Sequence, residues 1–157
     1  MLVAVALSIA ATLQRMSSPT IARLGELGES RNFVDVSNMP EAKIDPHILV
    51  LRPSQPLFFA NAEATLSRIV TLATSGGVRV AVLSLEDSDS LDSTALDALI
   101  EGEQSLLRAG CTLILAHVKQ DILEALGRIG PDGVSLQSRS YFSVADAFDR
   151  ARQTAPS

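Results

Sequence analysis

The chain predicts an α/β domain: a mixed, mostly parallel sheet of about 4–5 strands packed with about 4–5 helices. Two observations carry this expectation. The spans 78–85 and 111–118 hold the unbroken apolar runs 80–83 and 113–116, and strands buried on both faces read this way rather than alternating. Each run is followed by a stretch whose apolar residues recur at helical spacing, and strand–helix alternation is the pattern of parallel α/β sheets.

The elements follow in order. Residues 2–13 carry no charge and are mostly Val, Ala, Leu and Ile. That run is shorter than the ~20 residues a bilayer span needs. No basic residue precedes Leu2, so it does not read as a signal peptide. It reads either as a helix docked on its own domain or a partner, or as the end of a transmembrane helix. The second is favoured because apolar residues surround the helix on all sides. Ser17-Ser18-Pro19 ends it. Residues 20–30 read as a linker with occasional apolar anchors, and 31–36 as an edge strand. A loop at 38–43 leads to a clear strand at 48–52. Pro53 and Pro56 then interrupt the pattern, so Leu57-Phe58-Phe59 turns outward or pairs only at an edge.

Asn61 is expected to cap the next helix and shape its entry loop; the stripe of that helix is Ala62, Leu66, Ile69, Val70 and Ala73, with Gly76-Gly77 closing it. After the buried strand at 78–85, the stripe Ala95, Leu96, Leu99, Ile100, Leu106 and Leu107 marks a helix closed by Gly110. The second buried strand precedes a helix over 119–129 with Ile122, Leu123, Leu126 and Ile129 on one face. Beyond Gly130-Pro131 a short extended piece is expected, then a final helix with Val144, Ala147, Phe148 and Ala151 inward.

Composition narrows the function. Among 157 residues, 46% are hydrophobic, enough for one domain with a core of its own. Net charge is −5, aromatic content is 4%, and the basic residues are scattered singly, which excludes a nucleic-acid partner. The single cysteine, Cys111, rules out an internal disulfide and reads as a small core residue. No glycine-rich phosphate loop is present, His47 and His117 stand alone, and no metal or cofactor is expected.

The stretch 86–96 is the richest in chemistry. Glu86, Asp87, Asp89 and Asp92 place four carboxylates in seven residues. Read as a calcium loop from Asp87, it lacks the glycine at the sixth position, so calcium is excluded. These acids form a solvated loop near a helix N-terminus, with Glu86, Asp87 and Asp89 as a rim that could meet a cationic partner. Ser93 has neither a nucleophile elbow nor a histidine partner, which argues against hydrolysis. Asp92 and Ser93 compete for the cap of the helix that begins here. A phosphate on Ser93 would gain from the helix dipole but face the repulsion of Asp87, Asp89 and Asp92.

Four passages resemble one family: Ala22-Arg23-Leu24-Gly25, Met39-Pro40-Glu41-Ala42, Leu57-Phe58-Phe59-Ala60-Asn61-Ala62-Glu63, and Asp92-Ser93-Thr94-Ala95-Leu96. They are similar to those of the STAS domain, the sulfate-transporter and anti-sigma-factor-antagonist module. The nearer match is the cytoplasmic C-terminal domain of SulP anion transporters, because the antagonists lack the motif centred on Asn61. The resemblance implies residues 1–16 as the end of a last transmembrane helix, 17–30 as a linker and 31–153 as the STAS domain, on the cytoplasmic face of the inner or plasma membrane. It implies a non-catalytic regulatory role, with the transmembrane domain of the same transporter as partner. A homodimer, a regulatory protein, a nucleotide or acyl carrier protein are further partners it admits. In the antagonists the serine after Asp in this loop is phosphorylated, a position that falls on Ser93. Their usual glycine two places on is Ala95 here. The resemblance therefore centres on Asp92, Ser93 and Thr94, with a free-standing antagonist switched at Ser93 as the alternative.

Overall fold

The structure is a computed structural model that describes residues 3–9 and 19–155. Its sheet has five strands in the order β2-β1-β3-β4-β5. These are β1 (Ile21–Glu26), β2 (Phe33–Asp35), β3 (Ile48–Pro53), β4 (Val80–Ser84) and β5 (Thr112–Ala116). β3, β4 and β5 run parallel, with Val50 beside Val82 and Val82 beside Ile114. β1 is antiparallel to both of its neighbours. The helices are α1 (Ala62–Thr74), α2 (Ser93–Arg108), α3 (Gln120–Arg128), α4 (Pro131–Gln137) and α5 (Val144–Thr154).

The two apolar strand runs serve two cores, one on each face of the sheet. Leu49, Leu51, Ala81, Leu83, Leu113 and Leu115 lie under α1 to α4. Ile48, Val50, Val80, Val82, Ile114 and Ala116 meet Val144, Ala147, Phe148 and Ala151 of α5. Both faces are covered, so the strands need apolar residues at successive positions. Phe148 also meets Phe33 edge-on at 5.0 Å, which holds the edge strand β2 to α5.

α1 and α2 approach closely at Gly102. A Cβ there would lie 2.9 Å from Leu66 Cδ1 and 3.2 Å from Leu66 Cβ. Gly102→Ala is expected to be nearly neutral, because a turn of the Leu66 side chain and a shift of a few tenths of an ångström at Leu66 Cβ set their cost against about 1 kcal/mol of helix propensity. Gly102→Leu cannot be accommodated that way and should cost about 1–2 kcal/mol in urea unfolding followed by circular dichroism.

Three expectations are corrected. Residues 20–30 are not merely a linker: β1 lies inside the sheet, bonded on both sides. Its composition, with Arg23, Gly25 and Glu26, is a poor strand signal, and pairing with β2 and β3 overrides it. After Gly130 the chain forms α4, with Pro131 at its first position, and becomes extended only at the bridge between Ser140 and Leu115. Gly130-Pro131-Asp132-Gly133 reads locally as a turn, yet Gly130 takes φ 111° and lets the helix start. The third correction concerns Asn61, described with the site.

Residues 3–9 are helical, with Val3, Val5, Leu7 and Ile9 turned outward at 55–72% exposure. Residues 1, 2 and 10–16 of the expected transmembrane end lie outside the described residues. Among the described residues, no helix is long and apolar enough to cross a membrane.

Candidate functional site: the paired loops at the carboxyl end of the sheet

Two loops meet beyond the carboxyl ends of β3 and β4, the edge where parallel α/β sheets place their sites. One joins β3 to α1 and carries Phe58 to Asn61; the other joins β4 to α2 and carries Glu86 to Asp92.

Asp92 connects them. Its backbone is extended, and Oδ1 accepts from the Ala95 amide at 2.8 Å, so Asp92 and not Ser93 is the N-cap of α2. Its second oxygen, Oδ2, accepts from the Phe59 amide at 2.8 Å. One carboxylate thus satisfies an orphan amide of a helix and fixes the neighbouring loop. Ser93 and Thr94 stand in the first turn of α2, both exposed.

Asn61 is buried, but its side chain does not cap α1. Oδ1 accepts from the Phe58 amide at 2.9 Å, and Nδ2 donates to the Pro56 carbonyl at 2.9 Å. The residue instead closes the loop that leads into α1, using both halves of its amide on backbone groups of that loop. Cap and loop roles look alike in sequence, since Asn serves either.

Ser88 was not singled out by its sequence context. It is buried inside the acidic loop, and its Oγ accepts from the Leu57 amide at 3.0 Å. With Asp92 it makes a second tie between the loops. The only local signal is its position between Asp87 and Asp89, which sequence patterning reads as solvated. Phe59 is 69% exposed on this fixed frame, with Phe58 edge-on to it at 5.4 Å. An aromatic held outward by two carboxyl and hydroxyl ties costs little entropy to immobilise against a partner.

The acidic rim is less uniform than the sequence suggests. Glu86 lies 3.4 Å from Arg52. Asp89 pairs with Lys119, whose ammonium also donates to the Glu86 carbonyl at 3.2 Å. The Lys119 hydrogen bond holds the Asp89 carboxyl below its ordinary range. Two of the three rim acids are therefore already paired within the domain, and Asp87 is exposed.

Behind the rim, His117 adopts φ 52° at the end of β5, and its Nδ1 lies 3.0 Å from Ser84 Oγ. Ser84 is buried, so this pair joins two strand ends and does not face solvent as a nucleophile. Cys111 is buried and its thiol is pushed up to about 11, which keeps it protonated at neutral pH. Among the described residues, no group of three His, Cys, Asp or Glu gathers as a metal site.

Comparison with known proteins agrees with this architecture. The chain is 40% identical over 127 residues to a probable sulfate transporter of Mycobacterium tuberculosis, covering 80% of this chain and 23% of the relative. It is 29% identical over 171 residues to sulfate transporter 2.2 of Arabidopsis thaliana, covering 98% of this chain and 25% of that protein. The chain thus spans about a quarter of the length of these relatives. In fold it is similar to part of the murine Solute Carrier 26 family member A9 anion transporter, with TM-score 0.79, 18% identity, and coverage of 96% of this chain and 25% of that one. It is also similar to a SulP transporter STAS domain from Vibrio cholerae, with TM-score 0.59, 18% identity, and coverage of 75% and 91%. A family model for the STAS domain matches residues 39–148. With that match spanning β3 to β5, α1 to α4 and the paired loops, the chain belongs to the STAS domain family.

Proposed function

We propose that this chain is a non-catalytic, cytoplasmic regulatory domain of a SulP-type transporter of sulfate-like inorganic anions, acting through protein contacts. One observation carries the reading: Asp92 bonds to both Ala95 and Phe59, so exposed Phe59, Ser93 and Thr94 form one fixed surface at the carboxyl end of the sheet. That surface is suited to docking against the transmembrane domain of the same transporter. The apolar residues 2–13 would lead into that domain as the end of its last helix. Identity of 40% to a probable sulfate transporter supports the transport setting.

The test places Phe59→Asp in the transporter that carries this domain and measures uptake of labelled sulfate. Uptake is expected to fall, with the amount of transporter in the membrane unchanged, because a charge replaces the exposed anchor. Unchanged uptake would refute the docking role. The exposed Ser93 favours one other reading, a free-standing antagonist switched by phosphorylation. Phosphate incorporated by the wild-type chain and lost in Ser93→Ala, with no uptake phenotype for Phe59→Asp, would support it.

A further inference from the structure

The face of the sheet under α1 to α4 is not closed at its β1 side. Arg23 pairs in register with Leu51, so Ile21 and Arg23 share the side of Leu49 and Leu51. Between this strip and α1 lies a cavity of about 450 Å³, within the roughly 300–1,000 Å³ of small-ligand sites. Its floor is Leu49 and Leu51, with Leu72 of α1 on its wall. Arg23 from β1 and Arg68 from α1 both line it, and no described residue that lines it is acidic. Among the described residues neither is paired with a carboxylate, unlike Arg31, Arg52, Arg128, Arg139 and Arg152.

We propose that this groove binds the headgroup of an anionic phospholipid, with the phosphate between Arg23 and Arg68 and the adjoining hydrocarbon on the leucine floor. Guanidinium groups match phosphate in a bidentate manner, so two of them without acid partners select an anion. A bare inorganic anion would leave the apolar floor unused, whereas a phospholipid presents charge and hydrocarbon together. Pro19 lines one end of the groove, and the chain before it reaches the helical residues 3–9, whose Val3, Val5, Leu7 and Ile9 face outward. An apolar helix surface of that kind is satisfied by a bilayer. The chain as a whole carries a net charge of −5, so attraction to an anionic membrane has to come from a local site.

The experiment measures flotation of the full chain with phosphatidylcholine vesicles and with vesicles that also contain phosphatidylglycerol. Preference for the phosphatidylglycerol vesicles is expected, and Arg23→Gln/Arg68→Gln should weaken binding to them by about tenfold or more. Binding to pure phosphatidylcholine vesicles should not change, since residues 3–9 are untouched. Arg128→Gln, at an exposed residue of α3 outside the groove lining, should leave both unchanged. Arg23→Lys/Arg68→Lys, which keeps the charge but loses the bidentate fork, should fall between the wild type and the double Gln variant. Both arginines are exposed, so the variants should melt like the wild type. Soluble short-chain phosphatidylglycerol should compete and inorganic phosphate should not. The proposal is overturned by a wild type without preference, by a double Gln variant that keeps it, or by inorganic phosphate competing equally, which would make the groove a free-anion site. Loss of self-association in the double variant with vesicle preference intact would assign the groove to a second copy of the chain and overturn it as well.

Discussion

Glu103→Ala is expected to lower the unfolding free energy by about 3–5 kcal/mol. Glu103 is only 2% exposed, on the core side of α2, and its carboxylate pairs with Arg139. Arg139 also donates to the Leu113 carbonyl at 2.9 Å and to Ser135 Oγ at 3.1 Å. The guanidinium thus joins α2, β5 and α4. Removing Glu103 leaves a partly buried cation with neutral partners only, and the cost lies in that unpaired charge. Glu103→Gln keeps the shape and one acceptor and should cost less. Glu103→Leu combined with Arg139→Met replaces the pair by apolar groups of similar volume and should recover most of the loss. Urea unfolding of the three variants and the wild type separates these outcomes. Equal stability of Glu103→Ala and the double variant would show that the pair is not what matters.

Asp92→Ala is expected to cost about 2–3 kcal/mol, because two bonds are lost from one residue. The two carboxyl oxygens act separately, Oδ1 on Ala95 and Oδ2 on Phe59, so substitutions divide the effect. Asp92→Ser should preserve the helix cap and release the Phe59 amide. Asp92→Asn has a single acceptor oxygen and can keep only one of the two bonds. Amide hydrogen exchange reads this directly: in Asp92→Ser the Phe59 amide should exchange faster than in the wild type while the first turn of α2 stays protected. Protection of Phe59 in that variant would mean that Ser88, through its bond to Leu57, is sufficient to hold the loop.

The parallel part of the sheet was legible from continuous apolar runs, and its helices from their stripes. β2 as an edge strand followed from weak alternation. What escaped local reading depends on partners far along the chain. β1 takes its strand conformation from β2 and β3, and its own residues, with Gly25 and two charges, favour neither helix nor strand. α4 begins with residues that also make turns, and its existence depends on Leu136 finding the core. Glu103 had a readable signal: it falls between Leu99 and Leu106 at helical spacing, so an acid sits on the buried stripe. Its meaning needed Arg139, thirty-six residues away.

For the site, the sequence placed Asp92, Ser93 and Thr94 correctly at a helix mouth but left the cap undecided between the first two. Both can accept the same amide, and only the backbone conformation at Asp92 separates them. Asn61 reads in sequence both as the cap of α1 and as a residue that shapes its entry loop; its side chain does the second and not the first. The bond from Asp92 to Phe59 spans two loops and has no signature in either. That tie makes separate motifs into one surface.

The most direct measurement is hydrogen exchange by mass spectrometry of this domain, alone and in the presence of the detergent-solubilised transmembrane part of the transporter. Added protection at residues 57–61 and 92–95, lost in Phe59→Asp, is the result predicted. Protection confined to α5, or none at the paired loops, would contradict the docking role assigned to Asp92, Ser93, Thr94 and Phe59.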